Sequence, residues 1–158
     1  MSFHKSEQIL PDFYPCVARD VLELCQPSPG IWMDLGCGKG QLAFALRTFS
    51  DSFFVLCDPD SEALGKAMKK GHELDFTHRM LALHGYSEKL PLADESLDLV
   101  MSRGSIFFWD DRPAAIREVY RVLRRGGKAM LGGGLGSTYP EWARREFIRR
   151  RRQKQRQR

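Results

Sequence analysis

The chain has no apolar run of the ~20 residues that a membrane-spanning helix needs. No charged-then-apolar leader opens it either, so a cytoplasmic location is expected. Cysteine is scarce and unpaired: Cys16, Cys25, Cys37 and Cys57 form no C-x-x-C spacing. That disfavours a zinc site or a disulfide framework and suits small buried thiols in a reducing compartment. The four histidines, His4, His72, His78 and His84, are scattered, and no metal is expected. Excess charge is missing from the body as well. Net charge is +5, yet residues 144–158 hold nine Lys/Arg against one acid, so the remainder is mildly acidic. What is present is 158 residues at 42% apolar content, enough for one folded domain of a sheet with helices on both faces.

Residues 31–43, IWMDLGCGKGQLA, organise the rest. Three apolar residues run into Asp34, then Gly36, Gly38 and Gly40 alternate with Cys37 and Lys39, then a helical apolar pattern begins. A glycine turn between a strand and a helix exposes backbone to a ligand, and the helix aims free N–H groups at the same spot. No Lys-Ser/Thr pair closes a phosphate loop here. The third glycine comes one residue early for a dinucleotide G-x-G-x-x-G. Taken alone, the stretch is also compatible with an ordinary strand–turn–helix.

In chain order, residues 1–11 read as a polar arm. From Asp12, which can cap it, a helix runs to Cys25 and is stopped by Gln26-Pro27-Ser28-Pro29-Gly30. Strands are expected at 31–36, 52–57, 80–84, 97–102 and 128–131. Helices are expected at 41–49, 61–70 (closed near Gly71) and 114–123 (ended by Gly126-Gly127). A last helix starting near Ser137, Thr138 and Pro140 would carry the arginine tail, making 12–136 the main domain and 137–158 a basic extension. Alternating strands and helices imply an α/β Rossmann-like parallel sheet of about five strands. The segments 36–40, 58, 85–88 and 102–104 each follow a strand, so they meet at one edge of that sheet.

Asp58 lies 22 residues past Gly36, at the end of the second strand. An acid so placed binds paired ribose hydroxyls, since a carboxylate accepts two bonds at once. The alternative is a turn-forming Asp before Pro59, and Asp60 is the weaker rival for the ribose. Asp34 either meets the amino or cationic side of a ligand or holds the glycine turn through backbone N–H groups.

Three blocks together resemble the class I S-adenosylmethionine-dependent methyltransferases. The first is the acid followed by G-x-G-x-G at 34–40. The second is Gly85-Tyr86-Ser87-Glu88-Lys89-Leu90-Pro91 followed by Asp94-Glu95-Ser96-Leu97-Asp98-Leu99-Val100. The third is Arg117-Glu118-Val119-Tyr120-Arg121-Val122-Leu123-Arg124-Arg125-Gly126-Gly127. The resemblance implies S-adenosylmethionine as cofactor, held by Asp34, Gly36, Cys37, Gly38, Gly40, Asp58, Pro59, Tyr86, Ser87, Glu88 and Arg103. Tyr86 replaces the acid with which the family usually binds the adenine amino group. The two strands that normally follow the fifth have no counterpart pattern here, which leaves the fifth as an edge; the last helix, or a second chain, is expected to cover it.

The resemblance places 102–109 (SRGSIFFW) over the methyl-donor end. Arg103 is a candidate for the donor's carboxylate or for an anionic substrate, and Phe107, Phe108 and Trp109 for a dry wall or for core. Tyr14 and Trp109 are expected on the substrate side. His84 is the nearest candidate base, but no catalytic residue is assigned. The acceptor is expected to be a small molecule. The alternatives are a nucleic acid gripped by the tail, or a non-catalytic cofactor-binding module.

Overall fold

The apolar runs at the first and second strands lie side by side because each is covered on both faces. Continuous apolarity, rather than alternation, marks a parallel sheet between two helical layers. The computed structural model describes residues 9–156, so residues 1–8 of the expected arm fall outside the described part. The order along the chain is α1 (Tyr14–Cys25), β1 (Ile31–Leu35), α2 (Gln41–Leu46), β2 (Phe53–Asp58), α3 (Ser61–Glu73), β3 (Met80–His84), β4 (Leu97–Arg103), α4 (Arg112–Val122), β5 (Leu123–Gly132) and α5 (Glu141–Arg156). All five strands are parallel, in the spatial order β3-β2-β1-β4-β5. Strand order therefore reverses between β1 and β4, and the carboxyl ends flanking that crevice are where such sheets bind ligands.

One face of the sheet is packed by α1, α2 and α3 through Val21, Leu42, Leu46 and Leu64 against Trp32, Phe54 and Leu99. The other is packed by α4 through Val119 and Val122 against Met33, Val55 and Val100. Trp32, Phe54 and Phe76 are fully buried. Side chains of this size contribute roughly 1.5–3 kcal/mol each on burial.

Several boundaries differ from expectation for visible reasons. α2 stops at Leu46, short of Phe49. α3 runs through Gly71 to Glu73, because Gly71 serves packing instead of termination: a Cβ there would strike the Met80 sulfur. Asp60, the weaker rival for the ribose, caps α3 through one oxygen by accepting from the Glu62 and Ala63 N–H groups and does not line the cleft at the strand ends. β5 begins at once after α4, yet its pairing jumps from Leu97↔Leu123 to Leu99↔Lys128. Of the two arginines that follow the C-terminal end of α4, Arg124 bonds Asp98, whose Oδ2 also accepts from the Ile31 N–H at 2.7 Å. α5 does not pack as expected either: its Ala143 and Phe147 join Tyr139, Leu135, Phe13 and Cys16 in a separate cluster at the start of α1. β5 is the edge strand of the sheet.

Candidate active site

A cleft of about 470 Å³ opens at the carboxyl ends of β1, β2, β3 and β4. That volume lies in the range of small-molecule sites. Its walls include Gly36, Asp58 and Pro59 on one side, Tyr86, Ser87 and Glu88 on the second, and Arg103, Phe108 and Trp109 on the third. The three segments following β1–β2, β3 and β4 thus meet as the topology requires.

The glycine turn is built from β2. The Gly36 and Cys37 N–H groups donate to the Cys57 carbonyl at 2.8 and 3.1 Å. The Gly38 N–H donates to Asp58 Oδ2 at 2.8 Å, and the Asp60 N–H donates to Asp58 Oδ1 at 2.9 Å. Asp58 is 9% exposed and each oxygen keeps a lone pair, so the side chain both shapes the turn and presents charge to the cleft. The glycines divide their labour. Gly38 has φ +54° and open space where a Cβ would stand, but it does not line the cleft. Gly40 has φ +79°, and its Cβ would press on Leu56 and Phe44, so it serves helix-to-sheet packing. Cys37 is buried in the core with its thiol pushed up by burial, and neither Cys37 nor Gly40 lines the cleft.

Asp34 also stays off the cleft wall. It is 2% exposed and accepts from the Ala43 N–H at 3.3 Å, holding the first turn of α2. Burial pushes its carboxyl up to about 7, opposed by that hydrogen bond and helped by the negative Asp58. Of its two roles, the structure supports the backbone one.

Arg103 does reach the cleft. Its Nε donates to the Gly134 carbonyl at 2.8 Å, and its guanidinium lies 4.2 Å from the Phe13 ring centroid and 5.8 Å from that of Tyr14. The Tyr14 phenol is pushed up, chiefly by burial and against the nearby charge of Arg103. It stands behind Arg103, off the lining. Of the residues lining the cleft, Arg103 alone is cationic. The neighbouring aromatics split: Trp109 packs against the α4-side core while also lining the cleft, whereas Phe108 is 85% exposed at the rim.

Glu88 joins two walls. Its Oε1 accepts from the Asp110 and Asp111 N–H groups at 3.1 and 3.4 Å, and Ser87 Oγ donates to its Oε2. Tyr86, 59% exposed, packs edge-on to His84. His84 in turn pairs through Nε2 with the Pro59 carbonyl at 3.0 Å and does not line the cleft, so it is support for the wall and not a base inside it.

Two elements were not anticipated. Ser105 sits over Gly36, donates to the Leu35 carbonyl at 3.0 Å, and bonds Ser102. Its only sequence trace is a serine three residues after Ser102. Glu118 and Arg121 form a hub: Arg121 donates to the Leu90 and Leu92 carbonyls, and Glu118 accepts from the Leu90 N–H at 2.8 Å. Together they fix the segment that continues from Glu88. The Arg121 guanidinium holds the Glu118 carboxyl down at about 2.

The walls fit an adenosyl sulfonium: a carboxylate for paired hydroxyls, an open backbone turn, an aromatic face at Tyr86 and a cation at Arg103. Among the described residues, no His/Cys/Asp/Glu group is placed to hold a metal, and no helix is long and apolar enough to cross a membrane.

Comparison with known proteins agrees. The family model for the methyltransferase domain matches residues 33–131. The chain is 33% identical to the chloroplastic 2-methyl-6-phytyl-1,4-hydroquinone methyltransferase of Arabidopsis thaliana, over 82% of this chain and 37% of that enzyme. It is 30% identical to the 27-O-demethylrifamycin SV methyltransferase of Amycolatopsis mediterranei, over 63% of this chain and 37% of that enzyme. A solved structure from Methanococcus maripaludis, assigned to the S-adenosyl-L-methionine-dependent methyltransferases, superposes with a TM-score of 0.81 at 33% identity, covering 87% of this chain and 64% of that one. The chain thus spans little more than a third of the length of those two curated relatives. With its glycine turn and parallel five-stranded sheet, the chain belongs to the S-adenosylmethionine-dependent methyltransferase family.

Proposed function

We propose that this chain transfers the methyl group of S-adenosylmethionine to a small hydroxylated aromatic acceptor in the cytoplasm. The observation that carries this is the shared cleft: Gly36, Asp58, Arg103 and Trp109 line one cavity at the crevice between β1 and β4. When bound, S-adenosylmethionine supplies a methyl already activated by a sulfonium. The chain's task is then to align two reactants and exclude water, and alignment alone is worth ~7–11 kcal/mol.

In this reading Asp58 takes the ribose hydroxyls, and Pro59 and Tyr86 bracket the adenine, with Ser87 beside it. Arg103 faces the carboxylate of the amino-acid end. Phe108 and Trp109 receive the apolar face of the acceptor, and Asp110, on the same wall, accepts from its hydroxyl. Two relatives are named for a 1,4-hydroquinone and for 27-O-demethylrifamycin SV, which supports a hydroxylated acceptor. The free edge of β5 offers a second chain a place to pair, which light scattering would reveal as a dimer.

The test is incubation with methyl-labelled S-adenosylmethionine and a panel of phenols, hydroquinones, amines and thiols. Label is expected in the phenolic compounds, with KM raised in Trp109→Ala. A chain that binds the donor yet labels only amines or thiols would overturn the acceptor assignment.

A further inference from the structure

The helix α5 carries more charge than its fold requires. Its inner side is spent on packing, with Ala143 buried and Phe147 against Phe13 at 6.0 Å. Its earlier arginines are partly offset: Glu141 pairs with Arg144 and Arg145, and Glu146 with Arg149 and Arg150. Beyond Phe147 no acid remains, while Arg151, Arg152, Lys154 and Arg156 are all exposed.

Successive helical residues are offset by about 100°. Arg152 and Arg156 therefore share the side opposite the packed one, Lys154 continues the packed side beyond Phe147, and Arg151 lies between them. The four cations span a little over half of the helix circumference. A membrane-surface helix needs one continuous apolar side. Here the partly exposed Trp142 and Ile148 are six residues apart, which puts them on different sides of the helix. A groove with phosphates along both walls is the better complement. The major groove of B-form DNA is about 12 Å wide and admits a helix. The deep, narrow groove of A-form RNA does not.

We infer that the exposed last two turns of α5 dock in the major groove of duplex DNA, held by Arg151, Arg152, Lys154 and Arg156 on the phosphates. The surface is separate from the methyl-transfer cleft, and the inference stands whether or not the proposed acceptor is correct.

The experiment is fluorescence anisotropy of the full chain with a labelled 20-base-pair DNA duplex between 50 and 200 mM salt. Four phosphate contacts predict a log–log salt slope of about −3.6, a loss of roughly a hundredfold across that range. The double variant Arg152→Gln/Arg156→Gln should make the slope shallower by about two, and Arg152→Lys/Arg156→Lys should keep it. Glutamine and lysine are both good helix formers, and circular dichroism checks that α5 persists. Donor affinity, read by calorimetry, should be unchanged in both variants. The inference is overturned by absence of binding at 50 mM salt, or by a slope that the glutamine variant leaves intact. It is equally overturned by tighter binding to an RNA duplex of the same sequence, or to phosphatidylserine vesicles.

Discussion

Asp58 is the residue on which the site depends most, and its replacement separates two effects. The carboxylate accepts the Gly38 and Asp60 N–H groups at 2.8 and 2.9 Å while 9% exposed. Hydrogen bonds to a charged group contribute about 1.5–3 kcal/mol each. Asp58→Ala loses both and should cost about 3 kcal/mol or more of stability. Asp58→Asn keeps one carbonyl oxygen and should cost about half of that. The asparagine also offers a single acceptor where paired ribose hydroxyls need two. Donor affinity should then fall at least tenfold, which is about 1.4 kcal/mol. Calorimetry on the folded Asn variant, with S-adenosylmethionine and with its demethylated product, reads this directly. Both ligands carry the ribose, so both should weaken alike. Unchanged affinity would remove Asp58 from the ribose. A loss confined to the sulfonium form would show that the carboxylate attracts charge and does not grip hydroxyls.

Other outcomes follow from the same geometry. Gly38→Ala places a Cβ in open space at φ +54°. It should cost about 1–2 kcal/mol of stability, with a larger proportional loss of donor binding by titration. Gly40→Ala adds a clash with Leu56 and Phe44 to the same backbone strain, so its thermal midpoint should fall further. Asp34, pushed up to about 7 by burial, holds its proton more tightly folded than unfolded. Its contribution is full below the unfolded value near 4 and is lost as pH rises to about 7. Asp34→Asn should flatten that fall in urea titrations across the window. Glu118, held at about 2 by Arg121, has the opposite sign: its stabilisation is present above its ordinary 4.5 and is lost as pH falls towards 2. Glu118→Gln should remove that acid-side loss, and it should lower donor affinity because the Leu90 segment is released.

The strand ends and the glycine turn were legible because their causes are local. Apolar runs under two helical layers, alternating glycines and an acid before proline leave marks a few residues long. Asp58, Pro59, Tyr86, Ser87, Glu88, Arg103 and Trp109 all line the cleft as expected. What escaped was decided by partners far along the chain. Gly71 reads as a helix stop until Met80 is found against it. Asp34, Cys37 and Gly40 carry the motif but face inward, since a turn needs residues to hold it as well as residues to expose. The docking of α5 on Phe13 depends on a tertiary contact that no periodicity encodes.

The carboxylate of Glu88 links the Tyr86–Ser87 segment to the backbone at Asp110 and Asp111, the turn that continues from Trp109. With the donor's nucleoside held as proposed, that link would stiffen the vestibule through which the second reactant enters. Compulsory order is then the expected kinetics: the donor loads first, the spent nucleoside departs last, and product inhibition by the demethylated donor should be competitive against the donor alone.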